Sequence, residues 1–242
     1  MSIFRSHSHA EKHLKGNIKY LGDLVIGAND GIITTFAIIS GSAGASLSST
    51  IIIILGLSNI LADGISMGFS NYLALRSQKD YEIQERSREV YEVENFPEAE
   101  KEEVKVIFKR WGVSDNDIEK LTESVTKDHK RWVDLMMLEE LGIIESEIES
   151  PWKHGLATFL AFILAGSMPL VPYFFSISHA NQFSTSVIST IASLFFVGSM
   201  RSFVTKVHWL KSGLQMLLVG GLAAGSAYLV GFLIKSVFNI SI

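Results

Sequence analysis

Long apolar runs alternate with one long polar stretch along the chain. Apolar positions dominate residues 22–45, 51–75, 154–176, 184–200 and 213–235, each run interrupted by a few polar side chains. A bilayer crossing takes ~20 mostly apolar residues. The pattern therefore predicts five membrane helices, the fourth being the shortest. Residues 76–150 hold most of the charge and no comparable run. Their turn signals predict three or four soluble helices. "SQKDYEIQERSREVYEVEN" carries no breaker, and "FPEAEKEEVKVIFKRWG" opens on Pro97 with acids and stops at Gly112. "VSDNDIEKLTESVTKD" offers Ser114 as an N-cap, and "HKRWVDLMMLEELGI" ends at Gly142.

The predicted architecture is an all-α membrane protein with a helical insert. Its parts are an N-terminal arm at 1–20, membrane helices 1 and 2 at 21–75, the insert at 76–150, and membrane helices 3–5 at 151–242. Pro169 and Pro172 predict a break in helix 3 toward its outer end. The glycines of helix 1 and the small-residue run "VGGLAAGSAYLVG" of helix 5 suit close helix packing.

Composition adds three points. Nearly half of the 242 residues are apolar (48%), and they are clustered. There are no cysteines, which excludes disulfides and thiolate metal sites. Every Asp and Glu lies at or before Glu149, and 20 of the 21 Lys and Arg fall on one side of a five-span arrangement. Basic loops face the cytoplasm, so the arm and insert are expected inside and the C-terminus outside. The arm lacks the apolar core of a cleavable signal peptide. Its "HSHAEKH" could bind metal weakly but reads better as a short disordered arm.

Candidate chemistry sits inside the apolar runs. Asp30 lies in helix 1, with Thr34 one turn along the same face. In helix 2, Asn59, Asp63, Met67 and Asn71 follow one another at i+4 and form a single drifting stripe. A carboxylate at mid-bilayer costs roughly 2.5–3.5 kcal/mol on an insertion scale, so it marks a functional site by default. The stripe offers oxygen and thioether sulfur, a ladder suited to a divalent transition metal. The two asparagines equally suit hydrogen bonds across helices, Met67 suits packing, and Asp63 suits a helix cap or a basic partner.

The insert holds a second set. Glu89 and Glu92 are spaced i,i+3, as are Glu100 and Glu103, so each pair shares a helix face. Glu140 follows Met136 and Met137 by one turn. No histidine is interleaved as Glu-x-x-His, which excludes a ferritin-type di-iron pattern. By composition alone these glutamates read equally as a solvated helix face.

The segments "GANDGIITTFAI", "NILADGISMGFSNYLA", "WVDLMMLEELGI", "GSMPLVPY" and "LKSGLQMLLVGGLAAGSAYLVG" together resemble the vacuolar iron transporter family, in family order and from about residue 20 onward. The resemblance implies a homodimer of five-span subunits with a cytosolic metal-binding domain, exchanging Fe²⁺, and often Mn²⁺, for protons. It implies membrane ligands at Asp30 and Met67. It implies soluble-domain ligands at Glu89, Glu92, Glu100, Glu103, Met136, Met137 and Glu140. Plant-like members tend to carry proline where Thr35 stands and a carboxylate where Asn59 stands. Here the acid is one turn on, at Asp63. The "TTF" and "LADG" forms resemble the bacterial branch, which implies the bacterial plasma (inner) membrane.

The expected function is export or sequestration of Fe²⁺ or Mn²⁺, with Zn²⁺ or Co²⁺ as further transported or regulatory ions and no prosthetic group. In this reading the insert gathers metal, Asp30 and Met67 bind it in the membrane, and Asp63, Asn59 and Thr34 serve the pathway or proton coupling. Burial favours a neutral carboxyl and a bound cation favours its ionised form, so metal and proton displace each other. A passive metal channel and a membrane-anchored metal sensor or buffer are the rival classes. No nucleophile–base pair, phosphate loop or nucleic-acid signature points to an enzyme or a nucleic-acid partner.

Overall fold

The computed structural model describes residues 19–144, 150–175, 179–202 and 207–238; the arm with its histidines lies almost wholly outside them. The described chain is helical: α1 (Leu21–Gly44), α2 (Ser49–Asn95), α3 (Pro97–Arg110), α4 (Asp115–Thr126), α5 (His129–Glu139), α6 (Pro151–Gly166), a 3₁₀ turn (Val171–Phe174), α7 (His179–Met200) and α8 (Trp209–Phe238). It divides into two compact units, residues 73–151 and the remainder. Four helices, α1, α2, α7 and α8, are long and apolar enough to cross a membrane.

The predicted third crossing takes another form. α6 has 16 residues, which at 1.5 Å each gives about 24 Å, short of a bilayer core of about 30 Å. The chain then leaves the α-helix before Pro169 and passes into the 3₁₀ turn that contains Pro172. Backbone released from a helix at membrane depth needs other partners. α7 supplies them. Ser186 Oγ donates to the Pro169 carbonyl at 2.6 Å, Ser189 Oγ to that of Met168 at 2.9 Å, and Gln182 Nε2 to that of Phe175 at 3.2 Å. The prolines thus break helix 3 where expected, and hydroxyls of the next helix make the break tolerable.

In the unit that carries these helices, α1 packs on α7 and α8. At a few glycines α6 meets α1 and α2 main chain to main chain. A Cβ on Gly31 would sit 2.5 Å from the Phe162 carbonyl oxygen, and one on Gly27 2.3 Å from that of Thr158. On the adjacent face of α6, a Cβ on Gly155 would meet the Gly68 carbonyl at 2.5 Å. Backbone-to-backbone approach of this kind is how membrane helices gain dispersion contacts where no hydrophobic effect drives them together.

The 73–151 unit has its own core of Val93, Val104, Ile107, Phe108, Ile118, Trp132, Val133, Met136 and Met137. Its first helix is not separate: α2 runs unbroken for 47 residues from the apolar run into the charged stretch. Nothing between Phe69 and Asn95 can stop it, and i,i+4 pairs such as Arg76–Asp80 and Arg88–Glu92 suit its solvated part. The glycine stops are as read, with Gly112 at φ +78° and Gly142 at φ +66°. Ser114 occupies the N-cap position of α4, but its hydroxyl donates to Asp117 Oδ2 at 2.6 Å and caps no backbone N–H. The neighbouring acid outcompetes the helix end for it.

Candidate metal sites

Three of the glutamates singled out from the sequence converge. Glu89 on α2, Glu100 in the first turn of α3 and Glu140 at the C-cap of α5 each place a carboxylate oxygen within 4.8 Å of the others. The folding logic is local. Phe96 alone separates α2 from α3, and its N–H donates to the Glu92 carbonyl at 2.7 Å, closing a tight corner. That corner turns the end of α2 onto the start of α3. One turn from the acids stand Val93, Val104 and Met136, all in the apolar core. The carboxylates therefore form the layer next to that core.

Such placement is costly without a cation. Glu89 and Glu100 are 2% and 6% exposed, and each has one buried oxygen with no hydrogen-bond partner. Burial pushes the Glu89 carboxyl up to about 8, with repulsion from Glu100, Glu140 and Glu92 adding to it. Burial also raises Glu100, which Glu103 and Glu92 push further. Glu140 is reached by solvent on one side, yet the desolvation of its other side, then Glu103 and Glu100, lift it to about 7. All five glutamates thus act on one another, and Glu92 also holds Arg88 at 3.2 Å. Crowded carboxylates with unsatisfied oxygens suit a hard or borderline divalent cation, which would favour their ionised form. Met136 and Met137 are fully within the apolar core, so packing accounts for both thioethers in this conformation.

In the membrane-type helices, Asp30, Asp63, Met67 and Asn59 are all half-buried. Asp30 on α1 and Asp63 on α2 lie within electrostatic reach of each other. α2 is unbroken across Asp63, so that residue caps nothing. Among the described residues, the buried Asn59 amide nitrogen and Asn29 amide oxygen have no hydrogen-bond partner. Thr34 Oγ1 donates to the Asp30 carbonyl at 2.9 Å, leaving its oxygen lone pairs free. Asn71 leaves the ladder: its amide nitrogen donates to Asp23 Oδ1 and to Thr158 Oγ1, both at 2.7 Å. For this asparagine the bond across helices is the reading that holds.

The same network contains residues the sequence did not flag. His154 Nδ1 lies 2.6 Å from Asp23 Oδ2, with the two side chains 8% and 12% exposed. The pair is separated by 131 positions, and no local spacing announces it.

Comparison with known proteins places the chain. The VIT family model matches residues 21–232. The chain is 35% identical to a vacuolar iron transporter of Plasmodium berghei over 94% of its own length and 86% of the relative's. It is 35% identical to that of Toxoplasma gondii, covering 97% and 80%. It is 31% identical to vacuolar iron transporter 1 of Arabidopsis thaliana, covering 91% and 88%. These relatives are transporters, not enzymes. With nearly all of its length matched, this all-α membrane protein belongs to the VIT family.

Proposed function

We propose that the protein carries divalent transition metal out of the cytosol in exchange for protons. Fe²⁺ is the first candidate, with Mn²⁺ next and Zn²⁺ or Co²⁺ as further ions. The observation that carries the reading is the trio Glu89, Glu100 and Glu140, buried or crowded carboxylates within 4.8 Å of one another with two unsatisfied oxygens. The names of the relatives support iron as cargo.

In this reading the 73–151 unit is a cytosolic collector. Glu92 and Glu103 complete its acid set, and a rotation of α5 would be needed to turn Met136 or Met137 to the ion. Asp30 with Met67 receives the metal in the membrane, Asp63 is a second charged group facing it, and Asn59 and Thr34 line the way. Thioether sulfur there favours transition ions over Mg²⁺ and Ca²⁺. Two subunits, each crossing five times when α6 and its turn are counted, form the working dimer. It sits in a bacterial inner membrane with arm and collector inside and the C-terminus outside.

Reconstitution tests this. Purified protein in liposomes loaded with a pH dye is challenged with Fe²⁺ kept reduced, and metal and proton movements are followed together. Coupled exchange in the wild type that is lost in Asp30→Ala supports the proposal. Metal flux without proton movement would make the protein a channel. An absence of flux in folded protein would make it a sensor or buffer.

A further inference from the structure

The buried pair Asp23–His154 takes no part in the scheme above, and its geometry is that of a proton site. Asp23 stands in the first turn of α1, two turns before Asp30 on the same face, and His154 in the first turn of α6. Asn71, one turn beyond Met67 on α2, donates to Asp23 Oδ1. Both oxygens of the Asp23 carboxylate are therefore engaged, one by Asn71 and one by His154. With the carboxylate accepting on both sides, the imidazole supplies its proton at Nδ1, and Nε2 is left as the free lone pair. That Nε2 is buried, with no hydrogen-bond partner among the described residues, in a side chain only 8% exposed. The Tyr20 ring covers it, centroids 4.7 Å apart, and Thr158 on α6 donates back to the His154 carbonyl at 3.1 Å while accepting from Asn71 of α2 at 2.7 Å.

Among the described residues, the groups facing His154 are few. α1 contributes Asp23 and Tyr20. α2 contributes the neutral Asn71 amide, which reaches Asp23, and Tyr72 beside Gly155. On α6 itself Lys153 sits 5.8 Å from the Trp152 ring centre. Among the described residues, the negative charge in contact with the imidazole is that of Asp23.

We propose that His154 Nε2 binds a proton that the protein exchanges for metal, with Asp23 as the fixed counter-charge and Asn71 as the positioning residue. The proton adds to the Nε2 lone pair and converts a pair of net charge −1 into a neutral one. No bond other than N–H forms or breaks. A cation arriving at the α1–α2 acids disfavours the imidazolium, and an imidazolium disfavours the cation, so the two alternate. Histidine is the side chain whose charge changes most readily near neutral pH. The proposal rests on the antiport reading, and it adds a second proton carrier, on α6, to the membrane carboxylates.

The test uses the same Fe²⁺ liposomes, scored for protons moved per metal and for the pH profile of uptake between about pH 5 and 8. His154→Asn keeps a donor where Nδ1 stands and cannot titrate. It is expected to move about one proton fewer per metal and to flatten the pH profile. If wild type couples protons to metal and His154→Asn matches it in both readouts, the site is overturned and the antiporter survives. If wild type moves no protons, both readings fall. Should His154→Asn not assemble, Asp23→Asn serves: it keeps acceptor and donor but removes the charge, so the pH profile should move to more acidic values. A profile unchanged in Asp23→Asn would equally overturn the proposal.

Discussion

Glu89 and Glu100, eleven residues apart around a one-residue corner, bring buried carboxylate oxygens within 4.8 Å of each other. At neutral pH Glu89, pushed up to about 8, holds its proton and shares a hydrogen bond with Glu100. A metal ion entering this pair must displace that proton. Metal binding to the full-length protein in detergent should therefore release protons and tighten as pH rises from 6 to 8, by about tenfold per unit for each proton displaced. Calorimetry in two buffers of different ionisation heat reads the proton number directly. An affinity flat across this range would refute the shared-proton site.

The same groups set a pH dependence of stability, and the sign is opposite to that of an ion-paired acid. A carboxyl whose folded pKa is raised stabilises fully below its unfolded value of 4.5. That contribution fades as pH climbs through about 7 for Glu140 and about 8 for Glu89. Metal-free protein should melt at lower temperature at pH 8.5 than at pH 5, followed by the fluorescence of Trp111 and Trp132. Glu89→Gln should recover about 1–3 kcal/mol at pH 8.5, since it removes a buried, unsatisfied charge, and should change little at pH 5.

Asp30 on α1 and Asp63 on α2 feel each other's charge. Exchanging the first for alanine removes the proposed ligand, and transport should fall below detection. Asp63→Asn keeps shape and loses charge, so Fe²⁺ flux should drop about 10–100-fold, the usual effect of a supporting group around a metal. Flux of Asp63→Asn equal to wild type would remove this residue from the pathway.

The α1–α6 seam admits no methyl group. Gly31→Ala would place a Cβ 2.5 Å from the Phe162 carbonyl oxygen. It should cost about 1–3 kcal/mol by overpacking, read as a lower melting temperature in detergent. Gly221→Ala on α8, whose Cβ meets nothing within 4 Å, is the control and should be silent.

The absence of cysteine makes orientation testable. A single cysteine at Ser48, before α2, should react with an impermeant maleimide added outside intact cells. One at Asp115, at the start of α4, should react only after the membrane is opened. The reverse pattern would invert the proposed topology.

Much of this was readable because it is local. Gly112, Gly142, Pro169 and the i,i+3 acids act within one or two turns, and the helices stop and the acids line up as their spacing says. Two things escaped, and one was half seen. The stretch after Leu75 carries no breaker, which fits the 47-residue continuity of α2, but the change from apolar to charged composition looks like a boundary that helix hydrogen bonds ignore. The depth of Met136 and Met137 depends on what α2 and α3 place opposite them. The Asp23–His154 pair depends on three helices meeting, and a lone histidine near a helix start carries no signal of its partner. Asn71 was readable only as a choice between ladder and bridge, and the position of Asp23 decides it.

α6 touches α1 through Gly27 and Gly31 and α2 through Gly68, with main chain against main chain on neighbouring faces. A side chain can rotate to make room; a carbonyl in mid-helix cannot. The spacing of α6 from α1 and from α2 at these points thus has one setting for as long as those contacts hold. If an ion passes between the acids of α1 and the stripe of α2, as proposed, a change in its size has to be met by moving whole helices.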